Sequence, residues 1–134
     1  MKDVSVLLID DDEIERRLFE AYAFQIDRFN LDVAYAPSVS DAETILKGDA
    51  PDILFLDNRL TPYDEFRETL PVIRDAGYCG PVVVISATPP RVSKHEYNEH
   101  GVSASLDKLS LSASLLEATI VGCLTAPKNI EPSV

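Results

Sequence analysis

The hydrophobic positions of the chain fall into two kinds of segment: short continuous apolar runs, and longer stretches where apolar residues recur every three or four positions. The runs predict buried parallel strands at 4–9, 32–36, 53–56, 82–85 and 104–106. The periodic stretches predict helices at 13–26, 40–48, 64–76, 91–100 and 110–124. Five strand–helix units in succession imply a parallel sheet with right-handed crossovers, and hence a three-layer α/β sandwich.

Particular residues refine the helices. The apolar stripe of the first helix is predicted from residues four positions apart: Ile14, Leu18, Tyr22 and Ile26. Ser40 and Glu43 form a capping-box pattern that predicts the start of the second helix. Pro71 lies inside the third helical pattern and indicates either a kink or a later start of that helix.

Composition limits the classes of function. A chain of 134 residues matches one domain, which we expect at 1–124, followed by a flexible tail at 125–134 and no output domain. The net charge of −11 argues against a nucleic-acid partner. No segment approaches the roughly 20 apolar residues that cross a membrane, and no signal peptide precedes the first strand. We therefore expect a cytoplasmic protein without a membrane partner.

Polar side chains follow four of the predicted strands at the point where each apolar run ends. They are Asp10 and Asp11 after the first strand, Asp57 after the third, Ser86 after the fourth and Lys108 after the fifth. Because the carboxyl ends of parallel strands meet at one edge of a sheet, these side chains should converge. Three carboxylates there predict a divalent cation, most plausibly Mg²⁺, and Asp57 could act as a nucleophile towards phosphorus.

In order and spacing, these residues resemble the motifs of bacterial response-regulator receiver domains, the CheY-like superfamily. The segment Leu7-Leu-Ile-Asp10-Asp11-Asp12 is similar to the acidic pair of that family, and Leu54-Phe-Leu-Asp57 to its phospho-acceptor strand. Val84-Ile-Ser86-Ala87 is similar to the segment that carries its switch hydroxyl, and Lys108 to its lysine. The resemblance covers about residues 3–124.

The resemblance implies a flavodoxin-like fold with strand order 2-1-3-4-5. It also implies a single-domain response regulator whose Asp57 accepts a phosphoryl group from a sensor histidine kinase or a histidine phosphotransfer protein. Mg²⁺ would be held by Asp10, Asp11, Asp57 and the backbone carbonyl of Arg59, with Ser86 and Lys108 binding the phosphoryl group. Such a protein is a phospho-acceptor that dephosphorylates itself, not an enzyme with a separate substrate. It signals as a monomer or a phosphorylation-dependent dimer to a downstream protein partner in the bacterial cytoplasm, or passes the phosphoryl group on.

Several positions depart from the family pattern. Leu109 stands where the family usually has proline, Ser105 replaces its aromatic residue, and Pro62 comes one position late. These changes leave an alternative open: an adaptor with a receiver fold that acts by protein binding without phosphorylation. Arg59 is also ambiguous, because its side chain could pair with the phosphoryl group or with Asp64 or Glu65.

Two other classes of protein are excluded by residues that follow the first and third strands. A phosphatase of the haloacid-dehalogenase type needs a second aspartate two residues after the nucleophile, as a general acid, and this chain has Arg59 there. A flavodoxin needs a loop that cradles a phosphate after the first strand, and here the three residues Asp10 to Asp12 would repel one.

Overall fold

The structure, a computed structural model, describes residues 2–87 and 92–125. It contains five strands, β1 (Lys2–Ile9), β2 (Phe29–Ala36), β3 (Ile53–Asp57), β4 (Val82–Ser86) and β5 (Ala104–Asp107). The helices are α1 (Glu13–Phe24), α2 (Val39–Gly48), α3 (Phe66–Asp75), α4 (Lys94–Glu99) and α5 (Ala113–Thr125). All strand pairs are parallel, and the strand order is β2-β1-β3-β4-β5. The predicted fold class and strand order are confirmed.

The sheet separates two hydrophobic clusters, because alternate residues of each strand point to opposite faces. In β3, Leu54 and Leu56 pack on the side of α2 and α3, whereas Ile53 and Phe55 pack on the side of α1 and α5. All five residues of β3 and all five of β4 are buried, as expected for central strands covered on both faces. Because both faces of these two strands are buried, their sequences are continuous apolar runs.

The predicted apolar stripe of α1 is wrong in its first half. Ile14 and Leu18 are exposed, at 71% and 46%, and the helix instead buries Phe19 and Ala23. The Phe19 ring packs edge-on against Phe55 of β3, with ring centroids 5.0 Å apart. Because an α-helix has about 3.6 residues per turn, residues spaced four apart are progressively rotated around the helix axis. Such a series therefore does not lie on one buried face.

The predicted start of α2 is also wrong, by two residues. The N-cap is Ser38, whose hydroxyl accepts a hydrogen bond from the Asp41 N–H at 3.1 Å and donates one to the Asp41 carboxylate at 2.8 Å. The first turn therefore includes Val39 and Ala42, which are buried against the sheet. Burial of Val39 favours the earlier cap over the one predicted at Ser40.

Other boundaries differ by a few residues. Both β1 and β2 begin earlier than predicted: the first two residues of β1 are exposed, and β2 is an edge strand in which exposed and half-buried residues alternate. Lys108–Ser110 forms a 3₁₀ turn and α5 begins after it, while α3 includes Pro71 without ending there. Arg91, where the fourth helix was predicted to begin, and the predicted tail from residue 126 lie outside the described residues. Among the described helices, none is long and apolar enough to cross a membrane.

Candidate functional site

The candidate site lies at the carboxyl edge of the sheet, where four strands end side by side. Ile9 is in register with Leu56, and the next residues along these strands are Asp10 and Asp57. Asp57 is in register with Ile85, and the next residue of β4 is Ser86. Ser86 is in register with Asp107, and the next residue of the chain is Lys108. The parallel register alone therefore brings the side chains that follow β1, β3, β4 and β5 to one place.

Asp10 is held by hydrogen bonds on every side. Its N–H donates to the Ala36 carbonyl at 3.0 Å, and its carboxylate Oδ1 accepts from the Asp12 N–H at 2.9 Å. Arg16 donates to the Asp10 carbonyl at 3.0 Å. Asp12 itself caps α1, accepting from the N–H groups of Ile14 and Glu15. The loop after β1 is thus fixed before any ligand binds.

Lys108 links the two buried carboxylates. Its Nζ lies 3.1 Å from Asp10 Oδ2, 3.3 Å from Asp57 Oδ1 and 4.0 Å from Glu15 Oε2. The Lys108 side chain is 11% exposed, and those of Asp10 and Asp57 are 3% and 9% exposed. Asp107 instead accepts a hydrogen bond from the Leu109 N–H, capping the 3₁₀ turn. The ammonium group is therefore directed into the site.

The electrostatics of the site are dominated by burial and by the excess of carboxylates. Burial and the neighbouring Asp10 raise the pKa of Asp57 to about 7, against the opposing effects of Lys108 and of a backbone hydrogen bond from Arg59. Burial lowers the pKa of Lys108, but the charges of Asp57 and Asp10 outweigh it and raise the pKa overall. One ammonium thus faces two buried carboxyl groups, which favours a further cation at this place.

The carboxylates of Asp10, Asp11 and Asp57 can each offer one oxygen, and these atoms lie within 4.8 Å of one another. Asp10 and Asp57 are buried, whereas Asp11 is exposed at the mouth of the site. Hard oxygen donors with one open side are the ligand set that suits Mg²⁺, which keeps several of its waters. The residues present therefore fit a magnesium ion, with Asp10, Asp11 and Asp57 to hold it.

Ser86 and Arg59 take different positions relative to this centre. Ser86 is buried at the end of β4, one residue beyond the partner of Asp57 in the register. Arg59 is exposed, and its backbone N–H hydrogen-bonds the Asp57 carboxylate. Within the described part of the chain, Arg59 forms no ion pair with Asp64 or Glu65; Glu65 pairs with Arg67 at 2.7 Å. The roles of Ser86 and of the Arg59 carbonyl and side chain stay predictions.

Sequence reasoning missed one residue of the site, Asn58. It directly follows Asp57, is 7% exposed, and its side-chain Oδ1 accepts a hydrogen bond from the Phe66 N–H at 3.0 Å. The bond spans eight residues and closes the loop between β3 and α3. A polar residue directly after the apolar run was the available signal, but nothing in the sequence indicates its partner.

Comparison with protein-family models and with curated protein sequences gives no match. The similar solved structures are consistently receiver domains. The receiver domain of the putative response regulator NarL from Mycobacterium tuberculosis is 18% identical, with a TM-score of 0.74 and coverage of 94% of this chain and 100% of that one.

Two further structures agree with it. The N-terminal domain of a response regulator/sensory box/GGDEF protein from Carboxydothermus hydrogenoformans is 20% identical, with a TM-score of 0.72 and coverage of 90% and 93%. The response regulator domain of Thermotoga maritima CheB is 18% identical, with a TM-score of 0.69 and coverage of 94% and 100%. The chain therefore has the fold of the receiver domains of response regulators.

Proposed function

We propose that this chain is a response-regulator receiver whose Asp57 accepts a phosphoryl group in a Mg²⁺-dependent reaction. The observation that carries the proposal is the arrangement around Asp57. This buried carboxyl group lies at the end of a central strand, 3.3 Å from the Lys108 ammonium, and one of its oxygens lies within 4.8 Å of carboxylate oxygens of Asp10 and Asp11. Aspartate held in this way can act as a nucleophile.

The phosphoryl donor we propose is the phosphohistidine of a sensor histidine kinase or a histidine phosphotransfer protein. An Asp57 oxygen attacks phosphorus, a P–O bond forms as the P–N bond to imidazole breaks, and the departing imidazole nitrogen takes up a proton from water. Lys108 then pairs with a phosphoryl oxygen as a point charge. Bound Mg²⁺ would supply charge neutralisation for the carboxylates and the phosphoryl oxygens.

The remaining site residues have proposed roles that follow from their positions. Ser86, buried beside Asp57, would donate its hydroxyl to the phosphoryl group. The Arg59 backbone carbonyl would serve as a further ligand of the metal. The same residues would then support slow self-dephosphorylation, so the protein is a phospho-acceptor and not an enzyme acting on a separate substrate.

The partners we propose are proteins. Two exposed apolar residues stand beside the site: Ile14, in the first turn of α1, is 71% exposed, and Leu109, directly after Lys108, is 87% exposed. A donor protein that reaches Asp57 would pack against both of them. We propose that the regulator acts in the bacterial cytoplasm on a downstream protein, as a monomer or a phosphorylation-dependent dimer.

The alternative is an adaptor that binds its partner without phosphorylation. The altered segment after Asp57 and the presence of Ser105 in place of the family's aromatic residue favour it. The burial of Asp10, Asp57 and Lys108 argues for the acceptor, since a fold that only binds a partner gains nothing from two buried carboxylates in one place.

The test is the intact mass of the protein after incubation with Mg²⁺ and acetyl phosphate. We expect the wild type and Asp32→Asn, a control at an exposed aspartate of β2, to gain one phosphoryl group. Asp57→Asn should gain none. Incorporation by Asp57→Asn would contradict the acceptor assignment. A wild type that gains no mass from acetyl phosphate or from a phosphorylated histidine phosphotransfer protein would favour the adaptor.

A further inference from the structure

Asn58 connects the candidate site to the start of α3. Its N–H donates to the Ile85 carbonyl at 2.8 Å, which holds its backbone beside β4. Its side chain reaches forward to accept the Phe66 N–H at 3.0 Å, and both residues are buried. Asn58 thus contacts the sheet through its backbone and the first residue of α3 through its side chain.

This bond replaces the usual N-terminal cap of a helix. Glu65, the N-cap residue of α3, makes no side-chain capping hydrogen bond. The first N–H groups of a helix have no partner within the helix, and one of them here is satisfied by a side chain eight residues earlier. The position of the first turn of α3 therefore depends on the residue that follows Asp57.

The first turn of α3 is in turn packed against α4. The fully buried Phe66 ring lies 5.2 Å from the Tyr97 ring and 5.7 Å from the His100 ring, measured between centroids. Arg67 donates through Nε to Glu96 at 2.8 Å, and its guanidinium group lies 5.2 Å from the centre of the Phe66 ring. The aromatic and ionic contacts connect the same turn to Glu96 and Tyr97 of α4 and to His100, its C-cap residue.

Contacts of α4 continue to the edge strand β5. Burial raises the pKa of the Tyr97 hydroxyl, and the nearby Ser105 side chain of β5 opposes that increase. The Tyr97 carbonyl accepts from the Val102 N–H at 2.9 Å, just before β5 begins. The chain of contacts therefore runs from Asp57 through Asn58, Phe66 and Tyr97 to Val102, just before the edge strand β5.

We propose that Asn58 is a positioning residue that couples phosphorylation of Asp57 to the α3–α4 surface, defined here by Glu65, Arg67, Glu96, Tyr97 and His100. The inference rests on the proposed function and deepens it by assigning the residue that carries the change away from the site. A phosphoryl group adds charge directly beside the Asn58 backbone, and any displacement there shifts the capped turn of α3. The cluster on α4 then adjusts with it.

The experiment compares amide hydrogen exchange at 66–70 and 94–100 in the wild type, Asn58→Leu, Asn58→Asp and the control Asn30→Leu. Leucine is similar in size to asparagine but accepts no hydrogen bond, whereas aspartate retains the acceptor oxygen. Asn30 bonds the exposed Asp3 on β1, in the amino-terminal half of the sheet and away from the site. The site is perturbed in two ways: with Mg²⁺ and acetyl phosphate, and by Asp57→Asn in each background.

We expect the wild type, Asn58→Asp and Asn30→Leu to change exchange at 94–100 when the site is perturbed. Asn58→Leu, compared at equal phosphorylated fraction by mass, should lose that response. Its exchange at 66–70 should already be about fivefold faster at rest, the factor expected when one capping hydrogen bond is lost.

Two results would overturn the inference. One is an equal change in hydrogen exchange at 94–100 in the wild type and in Asn58→Leu when the site is perturbed. The other is unchanged exchange at 94–100 in the wild type both on phosphorylation and on Asp57→Asn. The proposed function fails separately. If the wild type gains no phosphoryl mass, the coupling is still tested by the change in exchange at 94–100 that Asp57→Asn causes in the wild-type and Asn58→Leu backgrounds.

Discussion

The Lys108 Nζ lies 3.1 Å from Asp10 Oδ2, although the two residues are 98 positions apart in the chain. Each follows the end of a strand, and neither strand is adjacent to the other in the sheet, because β3 and β4 lie between them. Lys108 must therefore reach across the carboxyl edge, where it also contacts Asp57 at 3.3 Å. One ammonium group therefore bridges the two buried carboxyl groups of the site.

Removing the ammonium should destabilise the fold. In Lys108→Met, two buried carboxylates lose their shared partner, so at pH 8 without divalent cations the free energy of unfolding should fall by about 3 kcal/mol. Lys47→Met, at an exposed lysine of α2, should stay within about 0.5 kcal/mol of the wild type. Urea denaturation measures both values, and equal effects of the two substitutions would mean that the bridge adds no stability.

Magnesium affinity should depend on pH through Asp57. The pKa of this carboxyl group is about 7 in the metal-free fold, so below that pH the metal must displace a proton. We expect the Mg²⁺ association constant to rise by up to about tenfold per pH unit below 7 and to level off above it. Titration calorimetry at several pH values tests this. A Mg²⁺ association constant that does not change between pH 5.5 and 7 would indicate that Asp57 is not a ligand of the metal.

The contribution of Asp57 to the stability of the metal-free protein should fall as pH rises. The pKa of Asp57 is about 7 in the fold against an ordinary value of 3.8, so the folded state binds this proton more tightly than the unfolded chain does. The stabilisation is complete below the ordinary value and is lost as the pH rises through about 7. Relative to Asp57→Asn, the wild type should therefore lose a few kcal/mol between pH 4 and pH 7.5.

Chemical denaturation of both proteins in the presence of a chelator gives this comparison, because groups other than Asp57 cancel in the difference. Adding Mg²⁺ should restore stability to the wild type above pH 7, by binding the ionised carboxylates of the folded state. A difference that stays constant across the pH range would contradict the raised pKa.

Arg59 should influence how long the phosphorylated state lasts. Its side chain is exposed two residues after Asp57, where a guanidinium group can stabilise negative charge that develops on the phosphoryl oxygens. Arg59→Ala should lengthen the phosphorylated lifetime by roughly tenfold, and Arg59→Lys should have a smaller effect, since lysine lacks the bidentate geometry. The decay of the phosphorylated mass over time provides the measurement. Identical lifetimes in the wild type and in Arg59→Ala would indicate that the Arg59 side chain does not act on the phosphoryl group.

The start of α2 gives a test that is independent of the site. Ser38→Ala removes the capping hydroxyl and should lower the free energy of unfolding by about 1 kcal/mol. Ser40→Ala, at the cap position that the sequence pattern suggested, should change it by less than about 0.5 kcal/mol. Thermal or urea unfolding distinguishes the two. A larger loss of unfolding free energy in Ser40→Ala than in Ser38→Ala would indicate that Ser40 is the N-cap residue of α2.

The central strands and the candidate residues at the strand ends could be predicted from the sequence alone, and the resemblance to receiver domains implied the strand order. Strands β3 and β4 are buried on both faces, so their apolar runs are continuous and end abruptly where the polar edge begins. A parallel register then converges such ends without further information. For this reason the sequence alone predicts that Asp10, Asp57, Ser86 and Lys108 lie close together.

Tertiary packing alone decided which side of α1 is buried, where α2 begins, and the role of Asn58. Phe19 is buried because it meets Phe55 of β3, a contact that no periodicity within α1 can reveal. Asn58 bonds Phe66 because the loop after β3 folds back on itself to bring the start of α3 beside the site. Local patterns record whether a residue is apolar or polar, but the partner of a side chain is fixed only when distant segments pack together.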